Sequence, residues 1–349
     1  MNTLITILSA ILVFGFLIFI HEFGHFITAR IFKVTVNEFS VGMGPRLIWY
    51  DSKKSGTRYS LSMLPIGGYV AMAGEDGESD DPNSFDKKPA WQRFIITVAG
   101  ASVNLIFGFL AMILFTALSP FGGTTVADFT PQETSGYEIS SEQSGLMSGD
   151  TVLRVDGKRV RSADELSYEI MRRGIEPIDL LVLRDGEEVL LEDVVFPTLE
   201  ESGVGFGAMD FRVYASEKTV GSVLTYSFGK SILMVRMVYE SLFDLISGRY
   251  SFGAMSGPVG ISSSIGTAAK AGPLSLLYIT VLISINLGVM NLLPIPALDG
   301  GRMLTILIEM ITRKRLPKKV ETAINATGLM LLLGLSLVIM VKDVIFLII

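Results

Sequence analysis

From Leu4 to Ile20 the chain carries no charge, and this apolar run ends in His21-Glu22-Phe23-Gly24-His25, which holds both histidines of the sequence. A lone apolar segment can hide its backbone polar groups from lipid only as a helix, so the run is read as a membrane helix. At about 3.6 residues per turn, positions i and i+4 share a face. Both imidazoles can therefore bind one Zn²⁺, with Glu22 placed to handle the proton of an attacking water. Such a pair is ordinary in soluble metalloproteases. On an apolar helix it puts hydrolytic chemistry inside or at the edge of a bilayer. The run has no Lys or Arg before Leu4 and no small-residue cleavage site, and it continues straight into the histidines. It is read as a retained span rather than a secretory signal.

With 49% hydrophobic residues the chain is too apolar for an ordinary soluble protein, yet 18% of it is charged, which suggests membrane spans plus a soluble portion. A net charge of -6 argues against a nucleic-acid partner, since a polyanion needs a basic face. The absence of cysteine excludes disulfides and thiolate metal sites, so a metal must be held by His, Asp or Glu.

Four stretches have the length and apolarity of transmembrane helices: Leu4 to Phe32, Phe94 to Leu118, Leu274 to Pro294 and Ala323 to Ile349. Lys and Arg gather between spans one and two, from Arg30 to Arg93, and between spans three and four, from Arg313 to Lys319. The positive-inside rule then puts both connections in the cytoplasm, both termini outside, and the histidines toward the cytoplasmic end of span one. Residues 36 to 73 alternate short β-prone runs with glycines and prolines. They predict a hairpin-rich element beside span one, whose strand edge could hold an unwound substrate segment. The acidic stretch Glu75 to Lys88 reads as a surface linker. From Thr124 to Arg212 the chain turns polar, with β-like runs, two Asp-Gly turns and an amphipathic helix over Ala163 to Arg172, predicting a small soluble domain on the outer side. Between Val223 and Ser247 an apolar helical pattern is interrupted by Lys230, Arg236, Glu240 and Asp244. That pattern predicts an amphipathic helix on the membrane surface or against the spans, with a fifth span as the alternative.

Two histidines leave zinc short of a ligand, since catalytic sites commonly use three protein groups. The acids within or next to the spans are few: Asp299, Glu309 and Asp343 besides Glu22. Asp299 lies in Asn291-Leu292-Leu293-Pro294-Ile295-Pro296-Ala297-Leu298-Asp299-Gly300-Gly301, whose prolines and glycines break a helix at membrane depth. A carboxylate delivered there is a ligand candidate, against the plainer reading of an N-cap for a helix from Gly300.

The histidine pentapeptide, the Asn-x-x-Pro-x-Pro-x-Leu-Asp-Gly run and the pattern Ser144 to Gly157, which resembles a strand-forming stretch of bacterial PDZ domains, together resemble the site-2 protease family, peptidase family M50, of the RseP/RasP type. Gly67 to Val70, Ala99-Gly100 with Asn104, and Gly257 to Ile261 extend the likeness over almost the whole chain. The resemblance implies a multipass α-helical membrane protein of four transmembrane helices, with a membrane-associated β-hairpin region and an inserted α+β PDZ domain. The expected parts are residues 1–123, the first two helices and hairpin region; 124–212, the PDZ domain; 213–272, an amphipathic helix and connector; and 273–349, the last two helices. It further implies His21, His25 and Asp299 as zinc ligands, Glu22 as catalytic base, and Asn291 and Asn104 as contacts to the substrate backbone. The implied activity is zinc-dependent intramembrane cleavage of single-span proteins in regulated intramembrane proteolysis, of anti-sigma factors and signal-peptide remnants, after a first cut. Expected partners are such substrates, the lipid bilayer and peptide ends at an extracytoplasmic PDZ domain, in a cell membrane. The alternative is a catalytically silent, PDZ-containing membrane scaffold, and an intact Glu22 argues against it. A transporter with a broken-helix site would predict repeated halves, which the sequence does not show. Two departures stand out: Ala101 follows Gly100 where many relatives have proline, and one PDZ-like region stands where some have two.

Overall fold

The computed structural model describes residues 2–75, 77, 79–130, 139–201, 204–249 and 256–348. It divides into two compact units, Met1–Ala111 with Ser256–Ile349, and Met112–Met255.

The first unit is built on helices. It holds α1 (Asn2–Ile31), most of α2 (Ala90–Leu118), α5 (Pro258–Ala271), α6 (Pro273–Leu292), α7 (Asp299–Thr312) and α8 (Lys318–Ile348). Among the described residues four helices are long and apolar enough to cross a membrane: Thr3–Ile31, Ala90–Leu118, Pro273–Leu292 and Lys319–Asp343. These match the four expected spans. The other two, α5 and α7, have 14 residues each. At about 1.5 Å per residue each rises only about 21 Å, short of a hydrocarbon layer of about 30 Å. Ala10, Val13 and Leu17 of α1 pack with Ile265 of α5, where Gly266 makes room: a Cβ there would lie 2.2 Å from Thr6 Oγ1.

The predicted hairpin region is a single long pair, β1 (Val36–Asp51) and β2 (Arg58–Met72), antiparallel. Both strands bend, so that Tyr59 lies opposite both Phe39 and Tyr50, and Phe39 opposite Val70 as well. The bends fall at Gly42, Gly44 and Gly67, whose φ values of 88°, 86° and 88° are open to glycine and strained for other residues. Val36, Phe39, Val70 and Met72 turn inward against Ala29 of α1, Ile96 of α2 and Ile306 of α7. Leu47, Ile48, Trp49, Tyr50, Leu61 and Met63 form an exposed apolar rim.

The acidic stretch after β2 is not a plain surface linker. Residues 76 and 78 lie outside the described set, but Phe85 starts a 3-10 turn (Phe85–Lys87) and is buried in the same core as the hairpin. Its N–H donates to Ala73 O at 2.7 Å, and Thr35 N–H donates to Asn83 O at 3.1 Å. A buried aromatic side chain and these backbone hydrogen bonds pin a segment whose charge and turn residues suggested solvent.

The second unit carries a sheet in the order β10 (Phe211–Ala215), β3 (Gly122–Phe129), β4 (Thr151–Val155), β6 (Ile178–Arg184), β7 (Glu187–Val194), with β5 (Lys158–Arg159) paired to β4. Strands β8 (Thr198–Glu201) and β9 (Val204–Gly207) form a separate hairpin. Helix α3 (Ala163–Arg173) starts where Ser162 accepts a hydrogen bond from Glu165 N, and buries Leu166 and Ile170 on a core that includes Val126, Val152, Leu180 and Phe211.

In this unit α4 (Val220–Ile246) answers what the charged stripe between Val223 and Ser247 is for. Lys230 pairs with Asp164 at 3.0 Å, Arg236 with Glu169, and Glu240 with Arg172 at 2.7 Å, while Asp244 takes Arg172's other nitrogen at 2.8 Å. The stripe therefore faces α3, and its charges are matched by protein. Leu224, Phe228, Ile232 and Phe243 remain exposed.

The hairpin should carry a pH signature. Glu38 is buried and takes a two-point hydrogen bond from Arg46, at 2.8 and 2.7 Å, with Ser60 Oγ donating at 2.7 Å. The Arg46 fork outweighs burial and holds the Glu38 carboxyl at about 2, below its ordinary 4.5. A depressed carboxyl stabilises the fold above the unfolded value and ceases to as pH falls through the folded one. Trp49 fluorescence, read alone in a Trp91→Phe background, should hold steady down to about pH 4.5 and change as pH drops toward 2. Arg46→Ala should move that change upward in pH; a transition that stays put would show that another group controls it.

Candidate metal centre

His21 and His25 lie one turn apart on α1, both buried, with ring centroids 4.9 Å apart. Helix α1 can bury them because it closes on α2 with almost no side chain between. A Cβ on Gly24 would lie 2.6 Å from Ala99 O and 3.0 Å from Gly100 Cα, and one on Gly100 would lie 2.3 Å from His25 Nε2. Small residues at a membrane helix crossing permit this approach. Ala101, which stands where a proline was the common alternative, is fully buried, and α2 continues through it as unbroken helix.

Polar groups of α2 meet the far side of each imidazole. Ile96 O lies 2.8 Å from His25 Nδ1, and Asn104 Nδ2 lies 3.3 Å from His21 Nδ1. A carbonyl can only accept, so Nδ1 of His25 carries a proton, and in the neutral ring Nε2 keeps its lone pair.

Both Nε2 atoms turn toward Asp299. The expected break is present: α6 stops at Leu292, and α7 begins at Asp299 with Leu298 as N-cap. Between them Ala297 takes a left-handed conformation, φ 71°, and its N–H donates to Asn325 Oδ1 of α8 at 3.4 Å. Glycine lets the pieces nest. A Cβ on Gly300 would lie 1.9 Å from Leu293 O, one on Gly301 2.5 Å from Ile295 O, and one on Gly328 of α8 2.4 Å from Pro296 Cβ. Asp299 is the first residue of α7 rather than its cap.

The result is a triangle of donors. Asp299 Oδ2 lies 3.2 Å from each Nε2, and the two Nε2 atoms are 3.3 Å apart. Among the described residues these three form the group able to hold a metal ion, and Asp299 Oδ2 is buried with no hydrogen-bond donor. With both imidazoles neutral and protonated on Nδ1, three lone pairs converge here and repel one another unless a cation sits among them. The spacing suits zinc, whose tetrahedral sites, with donors at about 2.0–2.1 Å, have edges of about 3.3–3.4 Å.

Glu22 is half-buried beside Gly68 of β2, where a Cβ would lie 3.1 Å from its Cγ and 2.9 Å from Ser40 O. The hairpin thus covers the glutamate side of α1. Asn291 is half-buried in the last turn of α6. Asp299 also lines a polar cleft with Glu75, Arg302, Glu321 and Asn325, in which Arg302 pairs with Glu75. Sequence reasoning did not find Ile96, Glu75 or Arg302. A backbone carbonyl leaves no mark on composition, and the ion pair joins residues far apart in the chain.

The profile of peptidase family M50 matches residues 9–335. The chain belongs to peptidase family M50. It resembles proteins provisionally named zinc metalloproteases over nearly the full length of each. That of Clostridium perfringens is 36% identical over 344 residues, 97% of this chain and 98% of the relative. That of Clostridium acetobutylicum is 35% identical over 340 residues, 97% of each. That of Campylobacter jejuni is 34% identical over 361 residues, 97% of this chain and 93% of the relative. Four apolar helices and membership of M50 make this a membrane-embedded peptidase.

For this M50 peptidase the closeness of Gly100 to His25 sets a test. Gly100→Ala forces the imidazole off the triangle and should weaken metal retention against a chelator at least about tenfold, read by metal analysis after dialysis. Retention equal to wild type would show that α1 and α2 part easily.

Proposed function

We propose that this M50 peptidase is a zinc-dependent intramembrane endopeptidase that cuts single-span membrane proteins within the bilayer. The observation that carries the reading is the donor triangle of His21, His25 and Asp299, with edges of 3.2 to 3.3 Å, whose two histidines lie on a helix long enough to cross a membrane. His21, His25 and Asp299 would hold the zinc. When bound, it polarises the scissile carbonyl and lowers the pKa of water to about 7.

Glu22 accepts the proton of the attacking water and passes it to the leaving amine nitrogen as the C–N bond breaks. Its position one residue from His21 puts it beside the triangle. The substrate poses a separate problem, because a helix hides its carbonyls in its own hydrogen bonds and must unwind before attack. Asn291 and the exposed rim of β1 and β2 would hold the freed strand, the rim by strand addition. Water reaches the site through the polar cleft lined by Glu75, Arg302 and Asn325.

The remaining assignments follow the family resemblance. The sheet of the second unit is read as one PDZ domain on the outer side, binding peptide ends or excluding bulky ectodomains, so that cleavage follows a first cut. Both termini then lie outside the cell membrane, with the active site toward the cytoplasm. Anti-sigma factors and signal-peptide remnants are the substrate classes.

The deciding experiment pairs metal content with cleavage of a membrane-embedded single-span reporter. Wild type should hold one zinc per chain and cut the reporter, and His21→Ala should lose both. Glu22→Gln should keep the zinc and lose about 10²–10⁴-fold in rate. Unchanged cleavage by Glu22→Gln would refute the role of the base. Absence of zinc from active protein would refute the metal reading, and absence of zinc and cleavage together would leave a silent scaffold.

A further inference from the structure

Helix α2 presents two polar groups to the α1 histidines about two turns apart, Ile96 O and the Asn104 side chain. The first, Ile96 O, fixes the tautomer of His25. His21 needs the same service: its Nε2 lies 3.2 Å from Asp299 Oδ2, so to offer a lone pair there it must carry its proton on Nδ1. Among the described residues, the hydrogen-bond partner of that Nδ1 is the side chain of Asn104, at 3.3 Å. As placed, the Asn104 NH₂ faces Nδ1, which sets two donors against each other. Asn104 Oδ1, meanwhile, is buried with no partner. The amide's two ends are nearly the same size, and their assignment follows from the hydrogen bonds they can make. Turning the amide over replaces the donor–donor clash with an Nδ1–H···Oδ1 bond and leaves the NH₂ at the former oxygen position.

We infer that Asn104 is a positioning residue that accepts the Nδ1 proton of His21 and so holds its Nε2 lone pair on the metal. The inference rests on the zinc reading above. Asn104 is fully buried, and its backbone carbonyl accepts a hydrogen bond from Ser284 Oγ of α6 at 2.8 Å, so three helices fix its place. A fully buried amide turned toward a histidine is poorly placed to touch substrate, the role the family resemblance implied. Outer partners of metal-bound histidines typically contribute about 10–100-fold in metal affinity.

The test uses the full chain in detergent micelles, with zinc affinity measured by chelator competition. Asn104→Leu keeps the volume and removes the acceptor, and should bind zinc about 10–100-fold more weakly. Asn104→Asp keeps an acceptor and should bind at least as tightly as wild type. Because the chain has two histidines, nitrogen-15 histidine labelling gives two rings. The Nδ1–H signal of His21 should move in Asn104→Leu while that of His25 stays, which a general loss of folding would not produce. Wild-type zinc affinity in Asn104→Leu with a raised KM would overturn the inference and assign Asn104 to substrate. Equal loss in the folded Asp and Leu variants would overturn it in favour of the amide donor. A wild type that binds no zinc fails the metal reading itself, a separate result.

Discussion

The crossing of α1 and α2 at Gly24, Ala99 and Gly100 is the contact on which the rest of the site depends. The apolar effect that drives soluble helices together is weak between helices in lipid, so close backbone approach and hydrogen bonds must supply the attraction. Here the lack of side chains at the crossing serves both needs. It lets the helices touch, and it brings Ile96 O and the Asn104 amide within reach of imidazoles that would otherwise lie over a layer of methyl groups. A pair of histidines on an isolated apolar helix would rotate freely and take either tautomer. Pressed against α2, they present the nitrogens that face Asp299.

The third donor arrives by a different physical route. A continuous helix through Asn291 to Gly301 would spend its carbonyls on itself and present side chains only at fixed angles. The two prolines stop it, Ala297 turns the chain in a left-handed conformation, and the glycines let α7 restart against the broken segment. Exposed backbone of this kind is tolerated in a membrane protein only against other protein or a wet cavity. Protein supplies that cover here: α8 lies over the segment through Gly328 and Asn325, and Asp299 itself lines a cleft with Glu75, Arg302 and Asn325.

What could be read from the sequence follows from where the information lies. Four long apolar helices are compositional, and they were legible at once. The histidine spacing is a local geometric fact, and the helix break is written in prolines and glycines. Asp299 could be singled out because so few acids lie near the spans, although no local pattern links it to residues some 270 positions earlier. Partner choice was illegible. The charges of Lys230, Arg236, Glu240 and Asp244 announce a polar helix face, but nothing local says that it meets α3 rather than lipid headgroups. Phe85 likewise sits among acids and turn residues, and its burial depends on a core formed by residues distant in the chain.

Charge accounts for why the neighbours of the proposed site have the chemistry they do. A zinc ion brings two positive charges into a region of low polarity, where an unbalanced charge costs several kcal/mol even after relaxation. Asp299 and Glu22 bring two negative ones, and imidazoles protonated only on Nδ1 bring none. The cluster is neutral before any outer partner is counted. Carboxylates commonly orient metal-bound histidines, and they raise ligand basicity. One beside His21 or His25 would leave this cluster with a net negative charge. An amide and a backbone carbonyl accept the same protons at no cost in charge, and these are the groups that α2 supplies.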